Sequence, residues 1–327
     1  MRIALAVNGM VPAAKYGGIE RIVWWLAKEL SARGHEVTLL ASPGSHCSFA
    51  RVIIADPRRP LTEQFPTDVD IVHIQGGEVG PFSKPCLLTF QCNGPPGMKF
   101  DVNTVFISRN QAERHGGSVY VHNGIDPDEY GKPDLHSRRK YLLFLAKAAW
   151  KVKNVRGAIQ IARQARRRLV VAGGYRFNLN MGPRITLDPN VRFRGMVGGE
   201  RKNRIINDAS ALLFPVIWHE PFGIAIVEAL YFGCPVYATE WGSLPEIVIP
   251  EVGVLSNSRS ELIERLADVE HFDRRVCHEY ACDRFSASAM TDKYLQLYER
   301  VLNGESLHAA PPTAPDTPVA KRFRMAA

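Results

Sequence analysis

The sequence predicts an α/β fold made of two Rossmann-like, doubly wound domains that face a central cleft. Short apolar runs bounded by glycine or proline alternate with longer stretches of helical periodicity, as parallel βαβ units require. This alternation starts at Ile3–Val7 and restarts at Tyr141–Leu145 after a segment rich in Pro, Asp and Lys. The 327 residues also exceed the usual size of a single core, so two domains are expected.

In the first half, strands are predicted at 3–7, 35–40, 51–55, 71–74, 86–89 and 104–107, with a helix at 19–33. The turn before that helix contains Gly17 and Gly18 but lacks the spacing G-x-G-x-x-G. A dinucleotide fingerprint is therefore absent. The first domain is predicted to cover residues 1–130, and residues 131–140 form a linker.

In the second half, strands are predicted at 141–145, 169–172, 191–193, 211–215 and 235–238, and helices at 155–166, 201–208 and 224–232. This second domain is predicted to cover residues 141–285. A final amphipathic helix follows at 286–302. Residues 303–327, with several prolines and the basic run Lys321-Arg322-Phe323-Arg324, have the composition of a disordered tail.

The net charge of +8 is unevenly distributed, because eleven Lys or Arg and no acid lie between Arg138 and Arg168. This stretch is either a solvated helix face or a surface that attracts phosphates of a ligand or an anionic membrane. Nucleic acid is not an expected partner, since no recognition motif accompanies the charge. Neither a membrane-spanning run, nor a signal cleavage site, nor a metal spacing of the six cysteines is present. We expect a cytoplasmic protein, with peripheral contact to the inner face of the plasma membrane left open.

The stretch Trp218 to Glu228 is the centre of the predicted site. It joins a buried strand to a helix, with Pro221 expected in the first helical turn and Gly223 allowing a ligand close to the backbone. A helix N-terminus attracts anions. Glu220 and Glu228 are separated by about 10 Å on helical geometry, which is long for hydrolysis of one glycosidic bond. That separation suits a nucleotide-sugar, with Glu228 on the ribose, the helix N-terminus on the diphosphate and Glu220 on the sugar.

The pattern E-x7-E with Pro-Phe-Gly after the first Glu resembles the retaining glycosyltransferases of family GT4, which have the GT-B fold. The resemblance extends from Arg2 to about Leu302. It implies that Gly17 and Gly18 form a loop closing over the reaction site, with a plain tight turn as the alternative. It also implies that the helix 286–302 packs back on the first domain, with packing in the core of the second domain as the alternative. It also implies that Lys147, in the place of the family's Arg, and Lys153, six residues later, contact the diphosphate. Further donor contacts are implied at Gln91, at the backbone of Val197, at Phe222, Gly223, Ile224 and Ala225, and at Glu228.

The sequence departs from the family at two glutamines. Many GT4 members have His at the positions of Gln75 and Gln91, the latter reaching the donor sugar. Glutamine forms hydrogen bonds but does not titrate near pH 7, so whether these replacements alter or abolish activity stays open. The only D-x-D, Asp68-Val69-Asp70, directly precedes an apolar strand, which favours a strand entrance over a metal site.

We therefore expect a metal-independent glycosyltransferase without a cofactor, which moves a hexosyl or related group from a UDP- or GDP-type sugar to an acceptor hydroxyl. Glu220, Lys153 and Lys147 are the expected catalytic residues. An acceptor glycan, a lipid-linked saccharide or a small molecule would fit, and the basic stretch favours polysaccharide or glycoconjugate assembly at the cell surface. The alternative is a catalytically degenerate protein on the same scaffold that only binds nucleotide-sugars.

Overall fold

The computed structural model describes residues 1–13, 17–76, 82–178 and 184–315, which divide into two compact units. Unit 1 contains Met1–Asp126 and the C-terminal segment from Phe285, and unit 2 contains Pro127–Arg284. The first unit thus ends four residues before the boundary indicated by the sequence. The segment expected to be a linker, 131–140, belongs to unit 2.

Unit 1 is built on a six-stranded parallel sheet with the order β3-β2-β1-β4-β5-β6. The strands are β1 (Arg2–Val7), β2 (Glu36–Ala41), β3 (Arg51–Ile54), β4 (Ile71–Gln75), β5 (Cys86–Phe90) and β6 (Thr104–Phe106). Helix α1 (Gly18–Ala32) follows β1 and buries Trp25 and Leu26, and the short helix α2 (Arg109–Arg114) follows β6. The crossing from β1 to β4 creates the reversal of strand order at which open α/β sheets bind ligands.

Unit 2 repeats this plan with a second six-stranded parallel sheet, in the order β11-β8-β7-β12-β13-β14. Its strands are β7 (Tyr141–Leu145), β8 (Leu169–Ala172), β11 (Val191–Phe193), β12 (Ala209–Phe214), β13 (Val236–Ala238) and β14 (Gly253–Leu255). A separate antiparallel pair is formed by β9 (Phe177–Asn178) and β10 (Arg184–Ile185). The helices are α3 (Val155–Gln164), α4 (Gly199–Asn207), α5 (Ile224–Tyr231), α6 (Leu244–Ile247), α7 (Arg259–Arg265) and α8 (Arg274–Arg284).

The fold class expected from the sequence is confirmed. Each predicted strand and helix forms within two residues of its predicted bounds, because apolar runs that are buried on both faces specify parallel strands strongly. The apolar side chains of β7, β8 and β12 pack together with one face of α3 in the core of unit 2. The elements that periodicity did not predict are the pair β9–β10, the strand β14 and the helices α2, α6, α7 and α8.

Helix α9 (Ala287–Leu302) lies in unit 1, although it follows unit 2 in the chain. Its entry is fixed at the segment Asn123-Gly124-Ile125-Asp126, where Ile125 forms a β-bridge with Ser286. A Cβ at Gly124 would lie 2.2 Å from the carbonyl oxygen of Ser286, so only glycine permits this approach. The glycine of this segment therefore has a packing role at the point where the chain returns to unit 1.

The prediction of a disordered tail is wrong for residues 303–315. Leu307 and Ala314 are buried, Thr313 pairs with Lys99, and the His308 ring hydrogen-bonds the carbonyl oxygen of Thr104 at 2.8 Å. A polar, proline-rich composition does not exclude folding when a few apolar side chains have a prepared surface to pack on. Residues 316–327, including the basic run 321–324, lie outside the described residues.

A buried polar network connects the sheet of unit 1 to α9. The His73 ring is fully buried and lies between the Tyr298 hydroxyl at 2.7 Å and the Thr89 hydroxyl at 2.8 Å. The Tyr294 hydroxyl hydrogen-bonds Thr89 at 3.0 Å. Burial lowers the pKa of His73 to about 3, so this imidazole is neutral in the folded protein.

The neutral state of His73 makes the stability of unit 1 dependent on pH. Because the folded pKa is below the unfolded value of 6.5, the unfolded state binds more protons as pH falls from 6.5 toward 3. The contribution of neutral His73 to the free energy of unfolding is complete above pH 6.5 and decreases below it by up to about 1.4 kcal/mol per pH unit. We expect the free energy of unfolding, measured by chemical denaturation, to decrease less between pH 6.5 and pH 3 in His73→Gln than in wild type. The exposed His46→Gln is the control, and equal slopes in wild type and His73→Gln would contradict the assignment.

Candidate functional site

The candidate site is organised around the N-terminus of α5 in unit 2. Strand β12 ends at Phe214, and α5 begins only at Ile224 after a loop that contains Glu220. Gly223 occupies the N-cap position with φ 89°, in the left-handed region that glycine favours. Pro221 therefore lies before the helix, and its expected place in the first helical turn is wrong because the left-handed Gly223 starts the helix later.

Glu220 is buried, with 5% of its surface exposed, and its carboxylate is fully engaged with two donors. The Lys153 ammonium lies 2.7 Å from Oε1 and 2.6 Å from Oε2, and the Trp218 indole N–H donates to Oε2 at 2.6 Å. A charge-assisted contact of this kind is short and strong. The side chain that was expected to contact a sugar is thus held in one orientation by a lysine 67 residues away in the chain.

The backbone of Glu220 is fixed by the turn after β13. Glu220 and Gly242 form a parallel β-bridge, and the Ser243 N–H donates to the Glu220 carbonyl oxygen at 2.9 Å. Gly242 has φ 73°, and a Cβ there would lie 2.2 Å from the Glu220 carbonyl oxygen and 2.3 Å from its nitrogen. The Ser243 hydroxyl also donates to the carbonyl oxygen of Phe222 at 2.7 Å. The segment 242–243 therefore fixes the backbone position from which the Glu220 carboxylate extends.

Lys153 contacts Glu220 from the segment that follows β7. It ends a short 3-10 turn, Lys151–Lys153, whose next residue, Asn154, caps α3 and donates to the Pro215 carbonyl oxygen at 2.8 Å. The ammonium lies 4.9 Å from the Trp218 ring centroid and 5.3 Å from that of Phe214. The positive charge of Lys153 is therefore balanced by a carboxylate and two aromatic faces, which offset the positive potential at the start of a helix.

Lys147 and Lys153 lie on either side of a tryptophan pair. The Lys147 ammonium is 5.4 Å from the ring centroid of Trp150, and the rings of Trp150 and Trp218 meet edge to face with centroids 6.4 Å apart. Both lysines follow the carboxyl end of β7, as the sequence predicted. The structure thus brings two cations, two indoles and the Glu220 carboxylate into one cluster, which we call the Lys–Trp–Glu cluster (Lys147, Trp150, Lys153, Trp218, Glu220).

Glu228 is buried in α5 with 3% of its surface exposed. Its Oε1 accepts from the Lys202 ammonium at 2.5 Å and from the Tyr130 hydroxyl at 2.7 Å. The ammonium of Lys202 also lies 5.0 Å from the centroid of the Tyr130 ring. Each of the two predicted carboxylates is therefore paired with its own lysine, Lys153 being half-buried and Lys202 buried.

Sequence reasoning missed Lys202 and Tyr130 as partners of Glu228. Lys202 was one basic residue among several in a polar helix, and Tyr130 lay at the expected domain end. The available signal was indirect: a carboxylate inside an apolar helix is buried and needs a cation. Nothing in the local pattern identified which cation that would be.

The remaining predicted donor contacts are divided between the units. In unit 2, the Phe222 side chain is buried, Ile224 and Ala225 are half-buried in the first turn of α5, and Val197 is half-buried before α4. In unit 1, Gly17 is buried before α1 with φ 154°, and Gly18 is exposed. A Cβ at Gly17 would meet the Glu20 carboxylate at 2.7 Å and the Ala13 side chain at 3.0 Å, so a substitution there requires these side chains to move. Their contacts with a donor stay predictions.

Gln91, predicted to reach the donor sugar, lies in unit 1 within an amide network. Its Nε2 donates to the side-chain oxygen of Gln75 at 3.0 Å, and its Oε1 accepts from Asn123 Nδ2 at 2.9 Å. Gln75 in turn contacts His73 Nε2 at 3.1 Å. The two glutamines that stand where many GT4 members have His therefore hydrogen-bond each other.

Asp70 of the D-x-D segment accepts from the Arg2 guanidinium at 2.7 Å and from the Arg2 backbone N–H at 2.7 Å. Arg2 holds the pKa of this carboxyl below its usual value through these hydrogen bonds. Within the described ranges, no three His, Cys, Asp or Glu side chains come together as a metal site. No helix in this part of the chain is both long and apolar enough to cross a membrane.

Residues 139–270 match the model of a family described as Glycosyl transferases group 1, so the match falls within unit 2 and contains the Lys–Trp–Glu cluster. An uncharacterised 41.2 kDa protein from a cps region of Klebsiella pneumoniae is 32% identical over 117 residues, 34% of this chain and 32% of that protein. A 42.6 kDa protein from a cps region of the same organism is 21% identical over 136 residues, 41% of this chain and 34% of that protein. The aligned segments thus span about a third of each relative's length.

Solved structures match across both units. AviGT4, a glycosyltransferase involved in avilamycin A biosynthesis, is 26% identical with a TM-score of 0.76, over 93% of this chain and 98% of that chain. Sucrose-phosphate synthase from Thermosynechococcus elongatus is 19% identical with a TM-score of 0.71, over 93% and 100%. Anabaena HepE in complex with UDP-glucose is 15% identical with a TM-score of 0.63, over 93% and 100%. The fold is that of GT-B glycosyltransferases, and unit 2 carries the sequence signature of group 1.

Proposed function

We propose that this protein is a retaining glycosyltransferase of the GT4 type that moves a sugar from a nucleoside-diphosphate-sugar to an acceptor hydroxyl. The observation that carries the proposal is the Lys–Trp–Glu cluster beside the N-terminus of α5. Two cations and a carboxylate lie together there, a combination that would suit an elongated ligand with a diphosphate. The group 1 match over residues 139–270 supports the same assignment.

In the proposed reaction, breakage of the bond between sugar and phosphate moves negative charge onto the diphosphate. Lys153, Lys147 and the N–H groups at Gly223 and Ile224 would stabilise that charge, which is electrostatic catalysis by preorganised donors. Glu220 would orient the sugar through its hydroxyls. Because the Lys153 ammonium bridges both Glu220 oxygens, a diphosphate that binds Lys153 must share or replace this contact.

The donor is proposed to be a UDP- or GDP-sugar, and the acceptor a growing glycan, a lipid-linked saccharide or a small molecule. HepE, which shares the fold, is described in complex with UDP-glucose, and this favours UDP for the donor. The similarity to two proteins of a cps region favours polysaccharide assembly as the process.

A second candidate is a nucleotide-sugar-binding protein that has lost turnover. The specific observation in its favour is the amide pair Gln75–Gln91, which cannot exchange protons near pH 7 as imidazoles would. This candidate predicts donor binding without release of the nucleoside diphosphate.

The test is a thermal-shift screen of UDP- and GDP-sugars, followed by assay of nucleoside diphosphate release with candidate acceptors. We expect release with one matched donor, loss of turnover in Glu220→Gln, and normal turnover in the exposed Glu240→Gln control. Release should persist in EDTA, because cationic side chains are proposed to replace a metal. Binding without release would favour the second candidate, and activity that requires added manganese would contradict metal independence.

Glu228→Ala is expected to weaken nucleoside diphosphate binding by one to two orders of magnitude while changing kcat little. Loss of a charged acceptor costs about 1.5 to 3 kcal/mol, and the ribose hydroxyls that it is proposed to bind do not react. Since Ala would leave Lys202 buried without its carboxylate, Glu228→Ala combined with Lys202→Met is the matched variant that removes both charges. Calorimetry on both variants is the measurement. Unchanged affinity in a folded double variant would exclude Glu228 from the ribose site.

A further inference from the structure

An exposed apolar stripe lies on the antiparallel pair β9–β10 of unit 2. Phe177 stands directly opposite Ile185 in the register, and successive side chains of a strand point to opposite faces. The stripe consists of four side chains that are 63% to 77% exposed, Phe177 and Ile185 on the two strands and Tyr175 and Leu187 beside them. This is a large apolar surface to leave in water, and such surfaces mark interaction sites.

The opposite face of the same pair is anchored to the body of unit 2. The Arg176 guanidinium donates to the carbonyl oxygens of Thr186 at 2.8 Å, Asp188 at 3.1 Å and Val191 at 2.6 Å. Thr186 is buried. The Arg176 side chain therefore fixes the orientation of the two strands that carry the stripe.

Arginines surround the stripe. Ile185 and Leu187 line one open groove of about 520 Å³ together with Arg156 and Arg163 of α3 and Arg259 of α7. From residue 138 to residue 187 the sequence has thirteen Lys or Arg and no acid, and Arg166, Arg167 and Arg168 continue the exposed side of α3. The combination is an apolar stripe bordered by long cationic side chains, with one acid, Asp188, in the groove.

We propose that this face, the stripe and the three groove arginines, docks on a membrane surface that contains anionic lipids. Apolar side chains that enter the boundary between headgroups and acyl chains, with Arg beside them at the phosphates, are the features of an interfacial anchor. The charged side chains that line the groove are three arginines and Asp188, a net positive set that is complementary to anionic headgroups. The proposal goes beyond the proposed donor chemistry and does not depend on it.

The test is sedimentation of the full chain with vesicles of phosphatidylcholine, with and without phosphatidylglycerol, at low and high salt. We expect binding to the anionic vesicles that weakens with salt. Arg156→Gln combined with Arg163→Gln and Arg259→Gln should lower the partition coefficient roughly a hundredfold at low salt. Phe177→Ser combined with Ile185→Ser should lower it about tenfold or more, with less dependence on salt.

Matched controls are the exposed Ile54→Ser and Val276→Ser for the apolar change and the exposed Arg58→Gln for the charge change, all outside this face. The thermal midpoint and nucleotide affinity should be unchanged in the stripe variant, Phe177→Ser with Ile185→Ser. A failure of the membrane proposal can therefore be distinguished from a failure of the proposed glycosyltransferase function. The proposal is overturned if anionic vesicles do not bind the chain, or if both face variants bind like wild type. It is also overturned if light scattering shows that wild type self-associates and the stripe variant does not, since a second copy would then cover the stripe.

Discussion

Lys153→Ala is expected to lower kcat by about a hundredfold or more with a matched donor. A cation held beside the diphosphate stabilises the transition state more than the bound donor, so its loss appears in kcat. Removal of one preorganised donor has an effect of this size. Steady-state kinetics is the measurement. A near-normal kcat with a raised KM would show that Lys153 only attracts the donor.

Lys153→Ala also leaves the Glu220 carboxylate buried without its cation, and breaking a buried pair costs about 3 to 5 kcal/mol of stability. A second variant, Lys153→Met with Glu220→Gln, removes both charges and should recover much of the thermal midpoint without recovering turnover. Lys147→Arg is the matched change at the other lysine. Its guanidinium keeps the contact with the Trp150 face and offers two donors to a phosphate, so turnover should be maintained or increased.

Gly242→Ala is expected to abolish most turnover without touching a catalytic side chain. The new Cβ would meet the Glu220 nitrogen and carbonyl oxygen at 2.3 and 2.2 Å, which are backbone atoms that cannot rotate away. The bridge between the two segments must open, and the Glu220 carboxylate moves with it. Misplacement of a positioning group by about 1 Å costs roughly a hundredfold in rate. Kinetics and the thermal midpoint should both fall.

Gly131→Ala is the control for the backbone strain in Gly242→Ala. Gly131 also lies in unit 2 and has a comparable φ of 70°, but a Cβ there meets nothing within 4 Å. The two variants share the strain of a left-handed alanine, so the difference between them measures the displacement of Glu220. Equal activity in both variants would show that the bridge to Glu220 does not position the carboxylate.

Much of the fold and part of the site could be predicted from the sequence. Glu220 and Glu228 were singled out because one lies just before and the other inside the expected helix α5. Lys147 and Lys153 were expected from the resemblance to GT4, and the roles of all four stay predictions. The tail at 303–315 and the strands β9 and β10 were not predicted. The tail pairs through its backbone with a distant segment, Thr313 with Lys99, and periodicity does not record such pairing. The strands β9 and β10 have two residues each, too few for a period.

The sequence by itself determined the two doubly wound units, because buried parallel strands and amphipathic helices have periods of apolar residues that can be counted along the chain. It also determined that two carboxylates flank the start of α5. Only the tertiary structure decided that Lys153 neutralises Glu220 and that Lys202 neutralises Glu228, across 67 and 26 residues of chain. The physical reason is that a buried charge requires a partner, but the order in which strands join the sheet decides which partner comes within reach.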